Sequence, residues 1–132
     1  MKNLGKIFLI SFFFNFIWEN LHVLLYDNFM GGEITESILL RASFVDGLII
    51  TIISLPFIYL NFLRKREWLI IPLGIIWSII MEWNALSVGK WAYNYLMPII
   101  PFLYIGLTPA IQLGLLGFIS FKITVKNVNR NN

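Results

Sequence analysis

"IFLISFFFNFIWENLHVLLY", residues Ile7 to Tyr26, is long enough to cross a bilayer as one helix, yet its second half carries Glu19, Asn20 and His22. A helix that spans hydrocarbon takes about 20 mostly apolar residues. A carboxylate in that setting is costly and is a functional hypothesis by default. Whether the rest of the chain repeats this pattern decides the fold, and it does.

Of the 132 residues, 58% are hydrophobic and 13% charged, and the mean hydropathy is +0.78. A soluble domain is about a quarter charged. A chain this short cannot hide so much apolar surface in one core, so lipid must solvate much of it. The length fits one domain, residues 1–132. Working outward from Ile7–Tyr26, the apolar stretches are 4–26, 38–63, 68–88 and 102–123. They predict an all-α, polytopic, four-helix transmembrane bundle. Pro56 and Pro109 fall inside two of the spans, where neighbouring helices tolerate them. The connections are "DNFMGGEITES", "RKRE" (Arg64 to Glu67) and the aromatic "GKWAYNYLMPIIP", read as an interfacial loop or a re-entrant segment. A short polar tail, "VKNVNRNN", follows and is expected to fray. Lys2 and Lys6 before an apolar run resemble a signal peptide, but no small-x-small cleavage site follows, which favours a retained first span.

Lysine and arginine set the orientation. Lys2 and Lys6 precede the first span; Arg64, Lys65 and Arg66 follow the second; Lys122, Lys126 and Arg130 follow the fourth. The turn after the first span holds Asp27, Glu33 and Glu36 and no basic residue, and the loop after the third holds only Lys90. Positive charge alternates as cytoplasmic termini require, in a multi-pass cell-membrane protein. The net charge of +3 serves this topology, so the expected partner is membrane lipid and not nucleic acid. With no cysteine, disulfide and thiolate chemistry are excluded. Homo- and hetero-oligomers both stay open.

Depth is estimated from the rise of about 1.5 Å per residue. Glu19 and Glu82 lie about 10 Å, and Asp46 about 12 Å, below the outer boundary. Arg41 lies about 5 Å down, and Thr108 and Gln112 about 9 and 15 Å down. Asn15, Glu19, His22 and Tyr26 recur as one helical stripe, as do Gly74, Ser78, Glu82 and Ala85. Gly106, Ala110, Gly114 and Gly117 form a small-residue seam suited to close helix packing. A polar pocket in the outer half of the bilayer follows. Glu19, Asp46 and Glu82 are its acid/base candidates. Asn15, His22, Arg41, Asn84, Trp91, Tyr93, Thr108 and Gln112 are its candidate lining, with the Trp91–Tyr95 loop as cover.

Against three carboxyls stands one nearby permanent cation, Arg41. Either one carboxyl is neutral at pH 7 or a cation binds among them. Glu19 and His22 form an ExxH pair of the kind found in bundle metal sites, but no second such pair occurs, so no metal or cofactor is assigned. Arg41 reads first as a snorkelling side chain or a structural counter-ion for Glu19 or Glu82. Thr108 and Gln112 read as helix–helix glue or pocket lining.

"FIWENLH" (Phe16 to His22) resembles the Trp-Glu motif in a membrane helix of the fungal meroterpenoid cyclases. "GKWAYNYLMPIIP…IGLTPAIQ" (Gly89 to Gln112) is similar to the Gly-x-Trp-x-Tyr…Pro region of bacterial heterodimeric-type lycopene cyclases. The resemblance covers roughly a third of the chain. It implies a small helical membrane enzyme that protonates an isoprenoid alkene with a carboxylic acid. The lycopene cyclases carry Glu soon after the Pro, where this chain has Ala110, Ile111 and Gln112. The acid would then come from Glu19, Asp46 or Glu82. Three functions are therefore expected in competition: an enzyme acting on a lipid or isoprenoid, an ion- or proton-coupled transporter, and an accessory protein whose polar groups only hold helices together.

Overall fold

The computed structural model describes residues 2–130, with side chains through residue 126. Its helices are α1 (Lys2–His22), α2 (Glu36–Tyr59), α3 (Asn61–Arg64), α4 (Ile70–Ser87) and α5 (Leu107–Arg130). Four stretches are long and apolar enough to span a membrane: Lys2–Leu25, Glu36–Tyr59, Glu67–Ser87 and Leu107–Lys126. Large apolar side chains such as Phe13, Leu21, Ile52, Ile76 and Ile80 are exposed on the outside of the bundle, as lipid-facing surfaces are.

The expected span ends need correction, each for a local reason. The second span stops at Tyr59, not 63. Leu60 gives its N–H to Pro56 O, turns extended, and starts the separate turn α3. Arg64 covers the broken end by donating to Ile58 O at 2.7 Å. The fourth span starts at Leu107, not 102. This places Pro109 in the first turn, where a missing N–H leaves no bond unmade. It also removes Gly106 from the helical seam. The helix runs on to Arg130, beyond the expected end at 123, and Asn131 and Asn132 of the expected tail lie outside the described residues.

The connections at one end are not all helix or loop. β1 (Tyr26–Phe29) pairs antiparallel with β2 (Trp91–Tyr93), matching Tyr26 with Tyr93 and Phe29 with Trp91. β3 (Ile99–Ile100) pairs with β4 (Ile105–Gly106). The "GKWAYNYLMPIIP" stretch is thus a small β cap. Gly89 makes it reachable. At φ 70° it ends α4 with Lys90 N–H to Ala85 O at 2.9 Å and Gly89 N–H to Leu86 O at 3.3 Å, the paired bonds of a left-handed helix terminus. Asn94 then ties the cap to the end of the first span, donating from its side chain to Leu24 O at 2.6 Å and from its backbone to Leu25 O at 2.9 Å.

Two helix pairs make the bundle. α1 lies along α2 and α4 along α5, α1–α5 contact joins the pairs, and α2 and α4 touch little. α4 and α5 cross at Gly74 and Gly114, where a Cβ on either would overlap the other helix's backbone. Away from the β cap, Ile7, Ile50, Phe57, Ile70, Leu116 and Phe121 fill the interior. The Phe57 and Phe121 rings pack edge to face at 6.2 Å. Ser11, Ser54, Ser120 and Thr124 are buried here as well, but each hydroxyl donates to a carbonyl of its own helix. This half, which carries the Arg64–Arg66 turn and the Glu67–Lys122 ion pair at its end, is therefore dry. The polar interior lies in the capped half.

Candidate functional site

Gln112 organises the capped half. Its Nε2 lies 2.8 Å from Asn15 Oδ1, 2.9 Å from Glu19 Oε1 and 3.1 Å from Asp46 Oδ2. One amide nitrogen thus holds acceptors from α1 and α2 against α5, its two hydrogens shared among three oxygens. Asn15 uses its own amide on Ser11 O at 2.7 Å, which leaves its oxygen turned to Gln112.

Glu19 is held on its other oxygen by His22 Nε2 at 3.1 Å, and His22 Nδ1 meets Thr108 Oγ1 at 3.2 Å. A carboxylate only accepts, so the ring proton is assigned to Nε2. Thr108 also reaches Met97 Sδ at 3.5 Å. Glu82, on α4, is held from the cap. Tyr93 Oη and Trp91 Nε1 both donate to its Oε2, the indole at 3.2 Å. Burial, and then the hydrogen bond to Glu82, push the Tyr93 phenol above its ordinary range. Burial, and then the charge of Glu82, do the same to Tyr26. Both phenols keep their protons at neutral pH.

Glu19, Asp46 and Glu82 line one cavity of about 220 Å3, with Gln112 and Ser78 beside them. Tyr26, Phe29 and Trp91 form its roof, and Ile38, Val45, Met81 and Leu113 much of its wall. α2 and α4 both contribute to the lining and touch little along their length, while Arg41 and Val45 on its border are exposed. The cavity is therefore partly open, with exposed side chains from α2 and from the cap on its border. Three acids on three helices, among largely apolar walls, can exchange protons with a bound molecule.

Of the sequence-predicted lining, Asn15, His22, Tyr93 and Thr108 hold the acids from behind, and Trp91 and Arg41 border the cavity itself. Arg41 forms no ion pair among the described residues, so it is not the structural counter-ion of Glu19 or Glu82. Asn84 is exposed and does not line the cavity; helix periodicity turns it away from Glu82, two residues earlier. Lys90 was missed. It follows the helix-ending Gly89 and lies on the cavity border as a second cation, its Nζ 5.4 Å from the Trp91 ring centre. The Gly89 stop was the signal that the next residue turns back over the bundle. No group of three or more His, Asp or Glu side chains is placed to hold a metal among the described residues. No family model matches the chain, and no curated protein or solved structure does either.

Proposed function

We propose that this chain is a membrane enzyme that performs acid/base chemistry on a lipid or isoprenoid held between α2 and α4. The basic end of the bundle faces the cytoplasm with both termini, and the β cap faces outward in the cell membrane. Glu19 and Asp46 exchange protons with the substrate. One carboxyl donates a proton to it and the other carboxylate removes one, so the pair is restored without outside acid. Gln112 keeps the two carboxyls together, and His22 orients Glu19. Glu82, fixed by Tyr93 and Trp91, completes the polar floor under the cap.

The observation that carries this reading is the convergence of three carboxyl groups, from three helices, on one cavity. The dry core behind it speaks against transport, because the buried hydroxyls there are spent on their own helices. The accessory reading draws on Gln112, which does join three helices. Lipid extracts from cells producing wild type, Glu19→Gln, Asp46→Asn and Glu82→Gln separate the two, when compared by mass spectrometry. The enzyme gives a lipid species present with wild type and absent with folded carboxamide variants. Identical lipid profiles for all four would leave only the accessory role.

A further inference from the structure

The cavity is charged in two layers, and each asks for a different part of one molecule. Arg41 and Lys90 stand on its border and make no ion pair among the described residues. Along α2, Asp46 lies about 7 Å deeper than Arg41 at the helical rise. The deep layer is built of acceptors. The Gln112 amide is occupied by three oxygens, and the Trp91 indole and Tyr93 hydroxyl are committed to Glu82. Ser78 adds a separate sign of a missing partner. It is 3% exposed and lines the cavity, and its hydroxyl finds no hydrogen-bond partner among the described residues. A buried hydroxyl left unpaired is unusual, and a ligand group or an ordered water beside it would supply the missing partner.

We propose that the cavity takes the head group of a zwitterionic phospholipid bearing a primary ammonium. The phosphate lies at Arg41 and Lys90, the ammonium lies among Asp46, Glu82 and Ser78, and the acyl chains leave between α2 and α4. This rests on the lipid reading above and names the class of lipid. Guanidinium and ammonium side chains are the usual donors to phosphate. A primary ammonium brings three N–H donors to a floor of acceptors. A quaternary ammonium brings none and needs open aromatic faces. Those faces are occupied here: Trp91 stacks on Phe29 at 6.4 Å with Lys90 above it, and Tyr26 packs against His22, Trp91 and Tyr93. A purely anionic amphiphile would satisfy the border but bring no cation to Asp46 and Glu82 and no partner to Ser78. At about 220 Å3 the cavity holds a small head group and not two acyl chains, and the side where α2 and α4 touch little is the one assigned to the chains.

Calorimetric titration of the purified full chain in maltoside micelles tests this, using dihexanoyl phosphatidylethanolamine, phosphatidylcholine and phosphatidic acid as probes. The ethanolamine lipid is expected to bind about tenfold more tightly than either other lipid. Arg41→Gln, at an exposed position, weakens the ethanolamine lipid and phosphatidic acid alike. Ser78→Ala weakens the ethanolamine lipid alone. Inorganic phosphate at the same concentration displaces nothing, which separates a lipid head from free phosphate. Equal binding of phosphatidic acid or phosphatidylcholine, displacement by inorganic phosphate, or wild-type affinity in Arg41→Gln would overturn the assignment. Ethanolamine selectivity with an unchanged cellular lipid profile would keep this site and remove the enzyme. A changed profile without the selectivity would keep the enzyme and remove this head group.

Discussion

The Tyr93 hydroxyl donates to Glu82 Oε2, the same oxygen that takes the Trp91 indole N–H. A strand of the cap is thereby latched to a buried carboxyl on α4. Because the phenol's folded value is raised, the folded state holds that proton more firmly than the unfolded chain does. The contribution is complete below the unfolded phenol value of about 10 and is lost as pH rises through the folded one. Tyr93→Phe should cost about 1–2 kcal/mol at neutral pH. Its stability should also fall less steeply than that of wild type above pH of about 10. Unfolding midpoints measured against pH for both proteins check this, and parallel curves would contradict it.

Gln112→Leu removes the donor shared by Asn15, Glu19 and Asp46. Buried acceptors left unpaired cost about 1–3 kcal/mol each, so a loss on the order of 3 kcal/mol is expected. Unfolding in mixed micelles reads it. A loss under about 1 kcal/mol would mean that the amide does not hold the three helices.

Two glycines offer a paired test of packing. A Cβ at Gly114 overlaps the Ile71 carbonyl, whereas one at Gly5 meets nothing within 4 Å. Gly114→Ala should destabilise by about 1–3 kcal/mol through forced separation of α4 and α5. Gly5→Ala should be neutral or gain up to about 1 kcal/mol from helix propensity. The same two unfolding measurements decide both.

Asn94→Ala cuts the side-chain tie to Leu24. Faster amide exchange is expected at residues 26–29 and 91–93, with the helix interiors unchanged. Exchange followed by mass spectrometry checks it; uniform acceleration would show that the cap and bundle open together.

Much of this arrangement could be read in the residues. Hydropathy and period predicted one level for Glu19, Asp46 and Glu82, because a rigid rise per residue converts sequence position into height along the bundle, and the three do line one cavity. The Asn15–Tyr26 and Gly74–Ala85 stripes faced inward for the same reason. Local breaks were harder to read. Leu60 and Leu107 sit in apolar runs that hydropathy cannot divide, although Pro109 marked the first turn of its helix. Strands of two to four residues, such as Trp91–Tyr93, are too short for alternation to show. The cap, and with it the place of Lys90, depends on pairing between distant segments, which no local pattern carries.

The dry layer around Ile7, Ile50, Phe57 and Phe121 has an electrical consequence. With the bundle in a membrane and the cavity open to water on the cap side, this layer would be the insulator, and most of a transmembrane voltage would drop across it rather than across the cavity. Full passage of one charge is worth about 2.3 kcal/mol per 100 mV, yet protons reaching Glu19 or Asp46 would cross hardly any of that field. In that arrangement the carboxyls would answer to the acidity on the cap side and be nearly indifferent to the voltage.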